Sequence, residues 1–272
     1  MAILDLPLVL DPLQLYRLWG APGLLIIDLC KTDTYARQHI PGAVHLDYAR
    51  IVAENKPVRG LLPDPDTLSM LLGTLGISPD IWVVACDDEG GGKAGRLLWT
   101  LDSIGHHRHS LLDGGLIAWI NEGYAVDSLP SLPQAVCPYP VSRDPAPVAG
   151  RDYILQHLGD PEVCLLDARS RTEFTGEKKL ALRGGHIPGA IHYEWTDAMD
   201  KQNNFRLRPC AELRNELDRL GATPDRQIVT YCHTHHRSSL IYVVLKHLGY
   251  GKVKGYPGSW SDWGNRQDTP VE

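Results

Sequence analysis

The heptapeptide His39-Ile40-Pro41-Gly42-Ala43-Val44-His45 occurs a second time as His186-Ile187-Pro188-Gly189-Ala190-Ile191-His192, with one valine changed to isoleucine. Its surroundings recur in the same order. An apolar strand carrying Asp28 (residues 24–29) precedes the first copy, and one ending in Asp167 (residues 163–167) precedes the second. A helix (66–75, then 209–220), a buried strand (81–85, then 228–231) and a closing segment (Gly114 to Trp119, then Gly258 to Trp263) follow. Asp28 to Asp167, His39 to His186 and Gly114 to Gly258 are offset by 139, 147 and 144 residues. Such regular spacing across ordered elements marks a tandem duplication. Strands alternating with helices predict two α/β domains, each a mainly parallel sheet with helices on both faces.

Between Gly123 and Gly150 the alternation stops. Pro130, Pro133, Pro138, Pro140, Pro145 and Pro147 predict an extended linker there. Domains are therefore expected at residues 1–124 and 150–272, joined by 125–149. Hydrophobic content of 43% with 22% charged residues suits a globular chain with a sizeable core. The net charge of −6 offers no general attraction to nucleic acid or to an acidic membrane surface. No stretch is apolar and long enough to span a bilayer, so no membrane partner is expected. The six cysteines form no C-x-x-C pair. Reduced thiols, a cytoplasmic location and a monomer are expected.

The chemistry concentrates at Tyr231-Cys232-His233-Thr234-His235-His236-Arg237-Ser238. A β-forming run, residues 228–231, leads into Cys232, and residues 239–248 carry apolar positions at helical spacing up to Gly249. Ligand sites of parallel sheets lie beyond the carboxyl ends of the strands, where Cys232 falls. Loop amides and a helix N-terminus can both face a sulfur placed there. A thiol becomes a good nucleophile when its pKa falls, which needs nearby cations or converging N–H groups. Arg237 and the three loop histidines are the candidate cations. Any help from His233, His235 and His236 should fade as pH rises.

The repeat aligns Asp87 with Cys232, 145 residues apart. Only the second copy is equipped for nucleophilic chemistry. Cys86, next to Asp87 and Asp88, is read as a packing residue, because neighbouring carboxylates raise a thiol pKa. His39, His45, His186 and His192 are expected to serve turns, and Asp28 and Asp167 to cap them. Trp195 is a candidate cleft wall. Lys178, Lys179 and Arg183 form a basic stretch that could dock an acidic acceptor protein.

The paired strand-Asp, the His-Ile-Pro-Gly-Ala turns, the strand-Cys loop and the closing Gly258-Ser259-x-x-x-Trp263 resemble the tandem-domain rhodanese family, over almost the whole chain outside the linker. Cys-His-Thr-His-His-Arg is similar to the loop of a bacterial, thiosulfate sulfurtransferase-like subgroup. The resemblance implies two rhodanese-like domains, the first inactive with Asp87 at the cysteine position. It implies sulfurtransferase activity with Cys232 as sulfur carrier. A small anionic donor such as thiosulfate would leave a persulfide on Cys232, and cyanide, a thiol or a protein would remove that sulfur. Residues His233, Thr234, His235, His236, Arg237 and Ser238 would bind the donor: amides of residues 233 to 237 would face the terminal sulfur, and Arg237 the sulfonate. The persulfide is the only covalent group implied, with no cofactor and no metal.

The loop matches neither Cys-Arg-Lys-Gly of thiosulfate enzymes nor Cys-Gly-Ser/Thr-Gly of mercaptopyruvate enzymes, so a mercaptopyruvate donor is an alternative. A cysteine phosphatase needs arginine six positions after the cysteine, whereas Arg237 comes at the fifth. A metal or anion-binding module could use Cys232, His233, His235 and His236, although adjacent side chains on a tight loop rarely converge on one ion.

Overall fold

The computed structural model describes residues 4–272 and divides into two compact units. One contains the chain up to Ile51, Pro63–Asp144 and Asp200–Leu207; the other contains Val52–Leu62, Pro145–Met199 and Arg208–Glu272. Each unit thus includes a short segment from the opposite half of the sequence. These segments stand at equivalent places in the two repeats. Of the residues expected to form a linker, those up to Asp144 belong to the first unit, where Val136 and Tyr139 donate backbone hydrogen bonds to Gly73 and Ser69, and those from Pro145 on belong to the second, where Ala149 donates to Gly255.

The first unit carries a parallel sheet in the order Val9–Leu10, His109–Leu112, Trp82–Cys86, Leu24–Asp28, Val44–His45. The second carries the order Val253–Gly255, Gln227–Tyr231, Val163–Asp167, Ile191–His192, again parallel throughout. Val148 bridges Gly255 where the first sheet has its Val9–Leu10 edge strand. The central strands are buried along nearly their whole length, which explains their continuous apolar runs. On one face of the second sheet Leu165, Val229 and Tyr231 pack with Ile187, Tyr256, Trp260 and Trp263.

Helix boundaries follow their caps. Asp64 accepts from the Thr67 amide at 2.9 Å, so the helix there begins at Pro65, one residue before its predicted start. The helix after Cys232 is Arg237–His247, not 239–248. Arg237 and Ser238 are therefore its first turn and not part of the loop. Among the described residues no helix is long and apolar enough to cross a membrane.

Candidate active site

Tyr231 ends the central strand of the second sheet in register with Asp167, and Cys232 follows it. The chain then turns back on itself, with His235 in the left-handed region at φ 51°. Ser259, at φ 49°, holds this turn from below. The amides of Cys232 and His235 donate to its Oγ at 3.3 and 3.1 Å, while its hydroxyl donates to the Tyr256 carbonyl at 2.7 Å. The Trp260 and Ser261 amides donate to the carbonyls of Cys232 and His233. Each left-handed non-glycine residue costs about 1–3 kcal/mol, which these bonds offset.

Cys232 is fully buried. Burial alone pushes its thiol up. The Arg237 charge, the Ser238 hydroxyl and amide and the Thr234 amide outweigh it, so the net shift is downward. Burial moves Cys30, Cys86 and Cys164 the other way, Cys164 to about 11. Arg237 is held by two bonds to Glu173, at 2.6 and 2.8 Å. Glu173 itself sits in a capping box on Ser170, and Arg237 with Ser170 brings its carboxyl down to about 2 against the opposing effect of burial.

A rhodanese-like domain model matches residues 11–122 and 151–266. Thiosulfate sulfurtransferases of Pseudomonas aeruginosa and Azotobacter vinelandii are each 47% identical to this chain, covering 98% of both partners in each comparison. The chain belongs to the rhodanese family. Its reaction class is sulfur transfer, which requires a sulfur donor and a sulfur acceptor. The sulfur carrier protein TtuD of Thermus thermophilus is 36% identical over 87% of this rhodanese and 86% of its own length. The fold also matches the anaerobic ergothioneine biosynthesis enzyme of Chlorobium limicola, with a TM-score of 0.88 at 21% identity over 97% of this chain and 70% of that one.

In the first rhodanese domain a carboxylate stands where the second has a thiol. Asp87 is buried and accepts from the amides of Glu89, Gly91 and Ala94 at 3.0, 2.8 and 2.9 Å. The cradle that elsewhere faces Cys232 is here filled by the chain's own anion. Gly115, at φ 55°, occupies the place of Ser259.

The loop residues differ in their surroundings. The Arg237 guanidinium is held by Glu173, and its charge acts on the Cys232 thiol. The amides of Thr234 and Ser238 face the sulfur, and that of His235 donates to Ser259 Oγ. The thiol is enclosed, and Gly60, from the hairpin Ala53–Asn55 and Val58–Leu61, lies against Thr234 in the same loop. Burial, then Arg237, hold His233 below its ordinary range, so it does not supply positive charge near neutrality. His235 is buried with Nδ1 2.8 Å from the Ser238 hydroxyl, and His236 lies 6.1 Å, ring to ring, from Trp195.

Residues outside the loop behave largely as expected. Asp28 and Asp167 accept from the amides two residues on, at 2.7 and 3.0 Å. His45 and His192 bond the carbonyls of Cys30 and Arg169, and His39 and His186 those of Tyr35 and Phe174. Cys86 is buried strand packing. Lys178 and Lys179 are exposed, but Arg183 bonds the carbonyls of Thr269 and Trp263 and is structural.

Sequence reasoning missed Glu173, Ser259 and the hairpin. Comparing the repeats had a signal for one of them: a serine stands where the first copy has Gly115 in a left-handed turn. Ser259→Ala keeps that strain and strands two buried amides, which costs about 1–3 kcal/mol. Thermal melting should register that loss, and stopped-flow mixing should show sulfur loading slowed about tenfold, the rate equivalent of about 1.4 kcal/mol. Unchanged loading would remove Ser259 from the site.

Proposed function

We propose that this rhodanese carries one sulfane sulfur from thiosulfate, through a persulfide on Cys232, to a thiophilic acceptor. The observation that carries this reading is a buried thiol lowered in pKa by a fixed guanidinium and converging N–H groups, a thiolate stabilised before substrate arrives. The Cys232 thiolate attacks the outer sulfur of thiosulfate, the sulfur–sulfur bond breaks, and sulfite leaves with the bonding electron pair. The persulfide anion inherits the same N–H donors. Cyanide, a thiol or a protein thiolate then attacks the outer persulfide sulfur and regenerates the Cys232 thiolate. Two half-reactions on one enzyme nucleophile give ping-pong kinetics.

Thiosulfate is the preferred donor because the relatives at 47% identity bear that name. The site residues are Cys232 as carrier, Thr234 and Ser238 as N–H donors, Arg237 as the cation that favours the thiolate, and His233, His235 and His236 shaping the loop. The persulfide serves in place of any cofactor, and a cytoplasmic monomer suits the six free cysteines. Intact-mass measurement tests the reading: thiosulfate should add one sulfur mass and cyanide should strip it. Protein that stays at its unloaded mass would end the proposal.

The loading rate should rise with pH as Cys232 ionises and level off at a lower pH than an ordinary thiol would, with no fall on the alkaline side up to pH 9, because Arg237 remains charged. Single-turnover loading across that range checks it. A fall on the alkaline side would restore a role for protonated histidines.

A further inference from the structure

The donor in this reading is a dianion, and its sulfonate end needs a cation that the loop does not provide. Arg237 is engaged by Glu173. Arg169 is buried against Asp167 at 2.6 Å and bonds the Gly185 carbonyl. Arg183 is bound to Thr269 and Trp263. Arg59 is placed differently. Its backbone is held by Ser261, whose Oγ accepts from the Arg59 amide at 2.9 Å and whose one hydroxyl proton is shared between the carbonyls of Gly258, at 2.8 Å, and Arg59, at 3.1 Å. The next residue, Gly60 at φ +75°, lies so close to Thr234 that a Cβ on it would fall 2.1 Å from the Thr234 carbonyl oxygen. The main chain is thereby fixed against the sulfur loop, while the Arg59 side chain is 64% exposed.

Its Nε lies 3.9 Å from Glu54, itself half-exposed, a pairing of little strength. The charge of Arg59 also reaches His233, adding to burial, Arg237 and Arg169 in holding that imidazole neutral. His233 Nδ1 is enclosed and has no hydrogen-bond partner. An exposed guanidinium on a pinned strand, whose charge reaches a residue of the sulfur loop, is suited to receive a small oxyanion.

We propose that Arg59, carried by the hairpin from the first half of the sequence, binds the anionic sulfonate end of the sulfur donor and sets the preference for anionic donors. This rests on Cys232 as the sulfur carrier. A planar fork on the sulfonate oxygens would leave the outer sulfur free to face the thiolate.

Steady-state kinetics of the full chain with thiosulfate and a neutral dithiol acceptor test it, using wild type, Arg59→Gln, Arg59→Lys and Lys56→Gln. Lys56 carries the same charge on the same hairpin, 78% exposed, and serves as the control. Arg59→Gln should raise the KM for thiosulfate about tenfold with kcat within about twofold, as loss of one charge-assisted contact predicts. Arg59→Lys should recover much of that loss, and Lys56→Gln should stay near wild type. The wild-type KM should climb with ionic strength, and the Arg59→Gln KM should climb less. Discharge of a preloaded persulfide to the dithiol should be the same in all four proteins. A wild type that loads sulfur beside an Arg59→Gln protein of unchanged KM would overturn the role of Arg59 alone. So would a kcat loss at constant KM, or a Lys56→Gln effect as large. A wild type that takes no sulfur would overturn the carrier reading and this inference together.

Discussion

Replacing Cys232 by serine is expected to abolish sulfur loading completely, with the protein still folded. The hydroxyl stays protonated in the range where the thiol ionises, so no nucleophile is left for the donor. Serine fits the same buried space and can accept from the Thr234 and Ser238 amides that face the sulfur. Intact-mass measurement should show no added sulfur at any thiosulfate concentration. The two proteins should also differ in how stability responds to pH. A thiol with a lowered pKa in the folded state releases its proton earlier there than in the unfolded chain. Between those two values the unfolded state holds more protons, so wild-type stability rises with pH and falls as pH drops through the folded value. The advantage of wild type over Cys232→Ser in denaturant titrations should therefore grow on the alkaline side. A serine variant that still acquires a cyanide-labile sulfur would place the carrier elsewhere.

Glu173→Gln should be the most damaging change outside the loop. The side chain is 3% exposed, and its carboxylate takes both ends of the Arg237 fork. Glutamine offers one oxygen and sets an N–H₂ group against the other guanidinium nitrogen. Breaking a buried pair in this way costs about 3–5 kcal/mol; the low end applies here, because Arg237 is 19% exposed. At 2–4 °C per kcal/mol, Tm should fall by about 6–12 °C.

The same pair sets an acid limit. With its carboxyl at about 2 in the folded protein, Glu173 contributes stability that is fully present above its ordinary value. That contribution, about 3 kcal/mol, is lost as pH falls from about 4.5 through 2. The variant should lose this part of the acid transition. Sulfur loading should slow as well, since Arg237 opens the helix whose Ser238 amide faces the sulfur. A variant that melts within about 1 kcal/mol of wild type would mean the pair contributes little.

The legible part of this molecule was local. Asp28 and Asp167, the two His-Ile-Pro-Gly-Ala turns and the strand ending at Cys232 are each set by neighbours a few residues away. Comparing one repeat with the other located Asp87 against Cys232 without any structure. What stayed hidden was long-range. Glu173 is 64 residues from Arg237, and nothing in Arg171-Thr172-Glu173-Phe174 separates it from an ordinary helical glutamate. The hairpin strands are three and four residues long and mixed in polarity, too short for a periodic signal. The sequence shows the Arg237 guanidinium but not the carboxylate that holds it. The approach of Gly60 to Thr234 is hidden for a related reason, since the two are more than 170 positions apart in the chain.

The exchanged segments give the first copy, with Asp87 in place of a cysteine, a part in the unit that holds Cys232. A fragment cut at the prolines would part the sulfur carrier from Arg59, Gly60 and the Ser261 clamp that holds them. The ancestral halves have become mutual lodgers: neither can be deleted, shuffled or transplanted by its sequence borders without taking a piece of the other along.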